Sequence, residues 1–239
     1  MNKDAHAGIM LVLGLLALRL ALTDAYLAYV RPGMKLLLIG AGAVLVALGG
    51  TVLLGRRAWS GDAPDPDDTA VHRHAPRVAW LLILPVLAIA LVAPAPLGAF
   101  AAARAANQPP GPAPISFDPL PSPRDGAVDL TLKDFTARAF YDRRSLSAVP
   151  VRLLGFAAPD PHGGGFLLVR FVLTCCAADG RPVKVAIRGV APPYPATNSW
   201  VEAMGTWRPI PTEAEDPPPP ELVAASVRPI APPAEPYLS

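Results

Sequence analysis

Charged residues are scarce in this chain, and their scarcity excludes the commonest class of protein. Only 17% of the 239 residues are Asp, Glu, Lys or Arg, whereas a soluble globular domain has about 25%. Together with a hydrophobic content of 52%, this argues against a compact soluble enzyme of one domain. The 19 glycines follow no period, which also excludes collagen.

The motifs of the common enzyme classes are missing too. The sequence contains no GxSxG, no HExxH, no P-loop and no GxGxxG. It has only two cysteines, and neither follows the first apolar stretch as a lipoprotein anchor would. We therefore expect a protein that is not an enzyme.

Long apolar runs are what the sequence does have. They cover residues 5–30, 36–54 and 78–103. A helix needs about 20 mainly apolar residues to cross the hydrocarbon core of a membrane, and the second and third runs have 19 and 26 residues without a charge. We predict three transmembrane helices within residues 1–104. A cleaved signal peptide is the alternative for the first run.

The basic residues predict how these helices are oriented, because cytoplasmic loops carry an excess of Lys and Arg. The N-terminus and residues 55–77 hold five Lys or Arg, against three in the loop after the first run and at the end of the third. We predict a multi-pass protein of the cell membrane with a cytoplasmic N-terminus and an extracytoplasmic C-terminal domain. The inner five are Lys3, Arg56, Arg57, Arg73 and Arg77, and the outer three are Arg31, Lys35 and Arg104.

The second half of the chain is rich in proline, with 24 of the 31 prolines after Asn107. Residues 105–126 have the composition of an extended linker. Residues 127–239 predict a short helix, which Asp129 or Thr131 would cap and which reaches Asp142, followed by five short β segments. An OB-like barrel is the simplest all-β architecture for them, and a sandwich is the alternative.

Electrostatics argue against nucleic acid as a partner of this domain. Residues 105–239 hold 12 Lys and Arg against 13 Asp and Glu, a net charge of −1. The domain has no basic stripe interleaved with aromatic residues.

The two cysteines, Cys175 and Cys176, are adjacent in the segment RFVLTCCAADGRP. Neighbouring residues of a strand point to opposite faces, but a strand end before AADG would bring both sulfurs together with Asp179. We predict that these three residues hold a thiophilic ion such as zinc, with a fourth ligand from elsewhere; His162 is the histidine on the same side. A strained vicinal disulfide or another thiol-redox role, and a buried thiol that only packs, are the alternatives.

Two charges interrupt the first apolar run, Arg19 and Asp24. Charges in a membrane segment usually face a protein interior or water. Their spacing of five places them on different faces of a helix, so they are not expected to pair with each other. We predict that they contact another membrane subunit; the alternative is that Asp24 lies at the outer interface and that Arg19 extends to the interface or pairs with a partner.

Four segments carry a resemblance to a known family: LALTDAYLAYVRPGM, PVLAIALVAPAPLGAFAAARAAN, FLLVRFVLTCCAADGRPVKV and WVEAMGTW. Together they resemble a bacterial family of membrane proteins classed as subunits of a two-component permease, with N-terminal transmembrane helices and a C-terminal domain of unknown function. The most specific part is the CCxxD motif, and the Ala, Pro and Arg content resembles family members from high-GC actinobacteria. The resemblance implies a larger multi-spanning permease subunit as partner and assigns no catalytic residue.

These observations predict a non-enzymatic accessory subunit of a membrane permease. Its outer domain would bind or gate a solute or a metal ion. A stand-alone envelope protein that handles metal or thiol redox chemistry is one alternative, and a purely structural interaction domain is the other.

Overall fold

The structure, a computed structural model, describes residues 3–59, 96–105, 116–209 and 217–238. It divides into two compact units. The helical unit comprises Met1–Tyr26 and Pro32–Ala95, and the sheet unit comprises Leu27–Arg31 and Pro96–Ser239. Most of the predicted third transmembrane helix, up to residue 95, and most of the predicted cytoplasmic loop, from residue 60, lie outside the described residues.

The described part of the helical unit contains two antiparallel helices, α1 (Lys3–Leu22) and α2 (Lys35–Trp59). Small residues recur at seven-residue spacing in each helix. This spacing places them on the face that meets the other helix. A Cβ atom on Gly14 would lie 2.8 Å from the carbonyl oxygen of Gly42, which shows how closely the two backbones approach. The buried small residues of this seam are Ala7, Gly14, Ala21, Gly42 and Gly49.

α1 is shorter than the sequence predicts, because it ends at Leu22 rather than at residue 30. Thr23 donates its hydroxyl to the carbonyl of Arg19, and Asp24 adopts a left-handed conformation with φ of 55°. Asp is one of the few residues that takes this conformation readily at a helix end. Two 3-10 turns, Ala25–Ala28 and Pro32–Met34, follow before α2.

Within the described residues, one helix is long and apolar enough to cross a membrane, by its length and composition. This stretch, Pro32–Leu54, has 23 residues and a mean hydropathy of 2.4, and only 11% of its most apolar window is buried within the protein. The apolar part of α1, His6–Leu22, is shorter. The structure thus agrees with an apolar membrane helix near the N-terminus.

The sheet unit contains a mixed sheet of six strands. Strand β2 pairs with both β3 and β5, so β2, β3, β4, β6 and β5 form a closed circuit of pairings. All five predicted β segments are strands, and the sixth strand, β1, has two residues that the sequence analysis missed. The strands are β1 (Val128–Asp129), β2 (Pro150–Pro159), β3 (Phe166–Val172), β4 (Arg181–Arg188), β5 (Trp200–Arg208) and β6 (Glu221–Pro229).

Most of these pairings are antiparallel, but β4 with β6 and β1 with β2 are parallel. The pairing of β5 with β6 shifts register at Met204 and Gly205. A side chain at position 205 would collide with the carbonyl oxygen of Val223 on the neighbouring strand, so this close approach requires glycine.

In the described part of the sheet unit, two short helices pack against the sheet. α4 (Leu132–Tyr141) is the predicted short helix, and Thr131 is its cap, accepting the Asp134 N–H at 3.0 Å. α4 contributes Phe135 to one buried cluster of the sheet unit. α3 (Ala99–Arg104) packs against a second cluster, which includes Phe156 and Phe171. These two clusters fix the strands that carry the candidate site.

Candidate metal centre

Asp179 organises the connection between β3 and β4, residues 173–180, which we call the β3–β4 turn. Its carboxylate accepts the backbone N–H groups of Thr174 and Cys175, each at 2.8 Å, and of Cys176 at 3.2 Å. A 3-10 turn, Ala177–Asp179, brings the carboxylate back over these three amides. A short Asp side chain that accepts nearby backbone donors is a common way to close such a turn.

The turn brings the three predicted ligands together. The Cys175 Sγ atom lies 3.7 Å from the Cys176 Sγ atom and donates a hydrogen bond of 2.8 Å to Asp179 Oδ2. One ligand atom from each of the three residues lies within 4.8 Å of the others. β3 has already ended at Val172, so the alternation of a regular strand does not separate the sulfurs. Both thiols are free, that of Cys175 exposed and that of Cys176 half-buried.

Hydrogen bonding shifts the ionisation of this pair in opposite directions. The bond to Asp179, and next the contact with Cys176, raise the pKa of the Cys175 thiol to about 11. The same thiol, followed by the backbone N–H of Thr174, holds the pKa of the Asp179 carboxyl far below its usual range. Without an ion, the pair at neutral pH is therefore a carboxylate beside a protonated thiol.

The spacing of the sulfurs fits a tetrahedral ion. Two thiolates bound to zinc at about 2.3 Å lie about 3.8 Å apart, close to the 3.7 Å between Cys175 and Cys176. A carboxylate oxygen on the same ion would lie about 3.6 Å from each sulfur. The contact of 2.8 Å between Cys175 and Asp179 would therefore open when the ion replaces the thiol proton.

Asp179 keeps room for an ion despite its backbone bonds. A carboxylate offers about four lone-pair positions on its two oxygens. Oδ2 receives the amides of Cys175 and Cys176 and the Cys175 thiol, whereas Oδ1 receives only the amide of Thr174. Oδ1 is therefore the oxygen with a free position.

His162 does not complete this site. It lies in the turn between β2 and β3, whereas the cysteines follow the other end of β3. Strand β3 has seven residues and so separates its two ends by about 20 Å. Among the described parts of the chain, Cys175, Cys176 and Asp179 form the group of His, Cys, Asp and Glu side chains that lie close enough to share an ion.

A segment far away in the sequence supports the turn. Arg31 donates its backbone N–H to the Cys175 carbonyl at 3.2 Å, and Ala177 donates its own to the Tyr29 carbonyl at 2.7 Å. These bonds form an antiparallel bridge between Val30 and Cys176. The sequence analysis missed this contact, because it placed residues 27–30 in the first helix and nothing in their composition indicates pairing.

The C-terminal segment supports the strand before the turn. Leu173 donates its N–H to the Leu238 carbonyl at 3.0 Å, and Leu238 donates to Phe171 at 2.8 Å. The half-buried guanidinium of Arg170 donates to the backbone carbonyls of Glu235, Pro236 and Tyr237. The sequence-based prediction for residues 127–239 gave no structural role to this C-terminal segment.

The two predicted partner-contact residues are not paired with each other. Asp24 forms an ion pair with Lys35 at the start of α2, with 2.7 Å between Asp24 Oδ1 and Lys35 Nζ. Arg19 is an exposed residue in the last turn of α1. The structure therefore leaves the Arg19 side chain at the surface of the helical unit.

Comparisons with protein-family models, with curated proteins and with solved structures found no match to this chain.

Proposed function

We propose that this chain is a non-enzymatic, membrane-anchored accessory subunit of a permease, and that its extracytoplasmic domain binds a thiophilic metal ion, zinc being the best fit. Cys175, Cys176 and Asp179 are the ligands. One observation carries the proposal: three ligand atoms converge within 4.8 Å, with the sulfurs at a separation that suits tetrahedral coordination.

The charge state of the site supports metal binding over thiol redox chemistry. Reactive thiols have a lowered pKa, because the thiolate is the attacking species. The pKa of Cys175 is instead raised to about 11 by its bond to Asp179. A divalent cation favours the thiolate strongly and would displace this proton, so that binding releases protons and tightens with rising pH.

The architecture supports a small β domain on a membrane anchor. The closed circuit of β2, β3, β4, β6 and β5 suits an OB-like barrel. The apolar stretch Pro32–Leu54 suits a membrane span, and we propose two more spans, at residues 5–22 and in the part of the third apolar run that precedes residue 96, where the larger part of the sheet unit begins. The N-terminus would be cytoplasmic and the β domain extracytoplasmic.

The partner we propose is a larger multi-spanning permease subunit. Three helices alone make a poor pathway for a solute. Exposed apolar side chains such as Leu36, which is 80% exposed, suit contact with lipid or with a partner helix. Arg19 is an exposed charged residue of α1, and we propose that it pairs with such a partner.

A purely structural role for the turn is the second candidate, and a specific observation favours it. Asp179 already accepts three backbone N–H groups, which explains its presence without an ion. In that case the cysteines only occupy space beside the carboxylate.

Metal binding by the full chain, purified in detergent and stripped of metal, separates the two candidates. We expect about one equivalent of zinc per chain, measured by elemental analysis after dialysis. Cys175→Ser alone and Cys176→Ser alone should each abolish zinc binding. Thr174→Ala, which changes an exposed side chain of the same turn, should retain it. A wild-type chain that binds no zinc would leave the structural role.

A further inference from the structure

The backbone of the two cysteines is held on both sides. On one side, the Asp179 carboxylate takes the N–H groups of Thr174, Cys175 and Cys176. On the other side, the segment Leu27–Arg31 pairs with the Cys175 carbonyl and the Ala177 N–H. The candidate ligands thus lie on a dipeptide that both groups must hold in place.

The polar backbone groups around this dipeptide are all in use. The Thr174 carbonyl accepts from the Arg31 guanidinium at 3.3 Å, and the Cys176 carbonyl accepts the Asp179 N–H at 3.0 Å. The Ala177 carbonyl accepts the N–H of Gly180 at 3.2 Å. Cys175 bonds to Asp179 through its N–H and to Arg31 through its carbonyl, so a rearrangement of the turn would disturb its bonds to the segment Leu27–Arg31 as well.

The segment Leu27–Arg31 lies between α1 and α2 in the sequence. α1 ends at Leu22 and α2 begins at Lys35, so Leu27–Arg31 lies in the connection between the two helices. The fold thus makes part of an interhelical connection a neighbour of the candidate ligands.

We propose that an ion bound by Cys175, Cys176 and Asp179 fastens the segment Leu27–Arg31 to the β3–β4 turn, so that metal occupancy sets the order of the connection between α1 and α2. This inference rests on the proposed metal site. Coordination by two adjacent side chains and by Asp179 fixes the backbone of the turn. When the ion has already ordered the turn, pairing of the segment Leu27–Arg31 with it costs less conformational entropy. Ion binding and pairing of the segment are then positively coupled.

The binding step is an exchange of an ion for protons. Two Sγ–H bonds break, one each on Cys175 and Cys176, and two sulfur–zinc bonds form. Both protons pass to solvent, and the Asp179 carboxylate remains an anion throughout. No electron is transferred, so the segment responds to metal concentration without any oxidant or reductant.

Hydrogen exchange of the full chain in detergent, with and without zinc, tests this coupling. The decisive amide is that of Arg31, which belongs to the distant segment and not to the turn. We expect zinc to slow its exchange by about tenfold, within the usual range of coupling between two sites. The amide of Gly40 within α2 serves as the internal reference.

Coupling is reciprocal, which gives a second arm. Arg31→Pro removes the N–H that Cys175 accepts and leaves every ligand intact, so zinc should bind about tenfold more weakly. Arg31→Ala, which loses only the guanidinium bond to Thr174, should weaken it less and serves if the proline variant does not fold. Gly33→Ala is the matched control, because a Cβ atom there meets nothing within 4 Å.

The outcomes separate the two proposals. A wild-type chain that binds no zinc overturns both. Zinc binding with unchanged exchange at Arg31, and with unchanged affinity in Arg31→Pro and Arg31→Ala, overturns the coupling and leaves the metal site standing.

Discussion

At the scale of single residues, Asp179 decides how the turn behaves. The same carboxylate accepts hydrogen bonds from three backbone amides and from the thiol of Cys175. A thiolate next to this carboxylate would lose the hydrogen bond and face a second negative charge, so the pKa of Cys175 is raised. At neutral pH the Cys175 thiol therefore stays protonated when no cation is bound, and a protonated thiol is oxidised more slowly than a thiolate.

The raised pKa predicts slow alkylation of Cys175 in the metal-free chain. In a Cys176→Ser background, the rate of reaction with iodoacetamide should rise with pH and reach its midpoint well above 9.0, toward 11. Adding Asp179→Asn removes the main cause of the shift, so the midpoint should fall. Because a less basic thiolate is also a weaker nucleophile, the rate at pH 8 should rise by only about tenfold.

A reference thiol makes this measurement interpretable. Ser226→Cys, in a chain whose own cysteines are both Ser, places a thiol at an exposed position of β6. A Cys175 profile that coincides with that of the reference thiol would contradict the role given to Asp179.

At the scale of elements, the α1–α2 pair depends on glycine. A Cβ atom on Gly42 would lie 3.0 Å from the carbonyl oxygen of Gly14 and equally close to the Leu18 side chain. Association of helices in lipid gains little from the hydrophobic effect and relies on close packing of backbones. The small residues at seven-residue spacing allow this close approach of α1 and α2.

Gly42→Leu should open this pair. We expect the larger side chain to lower the free energy of unfolding of the full chain in detergent by about 1–3 kcal/mol, a usual cost of overpacking. Gly40→Leu changes the same helix at a position where a Cβ atom meets nothing within 4 Å, and it should be nearly neutral. Equal losses in the two variants, measured by SDS titration of helicity, would contradict the packing.

Local patterns predicted the elements of the sheet unit well and their contacts poorly. Alternation of apolar residues identified β4, and short apolar runs between turn residues identified β2 and β3. The end of β3 ahead of the cysteines also follows from the sequence, because AADG favours a turn. Strand β1, with only two residues, has no pattern of its own and depends on its partner.

At the scale of the whole chain, the support of the candidate site comes from long-range contacts that no local pattern encodes. The Tyr237 hydroxyl donates to the Ala28 carbonyl at 2.8 Å and accepts the Leu97 N–H at 2.9 Å. These three residues are far apart in the sequence and meet only in the folded sheet unit. The sequence therefore predicted the candidate ligands, which are neighbours in the chain, but not the segments that hold them.

The charge asymmetry of the chain predicts its orientation in the membrane. Five Lys or Arg fall on the proposed cytoplasmic side and three on the other, and such a bias orients membrane proteins with the basic loops inside. In a chain with Cys175→Ser and Cys176→Ser, a thiol introduced by Ser226→Cys on exposed β6 should react with a membrane-impermeant maleimide in intact cells. A thiol introduced by Ser60→Cys, next to Arg56 and Arg57 in the sequence, should react only after permeabilisation. The opposite pattern would contradict the proposed orientation and would place the candidate ligands Cys175, Cys176 and Asp179 in the cytoplasm.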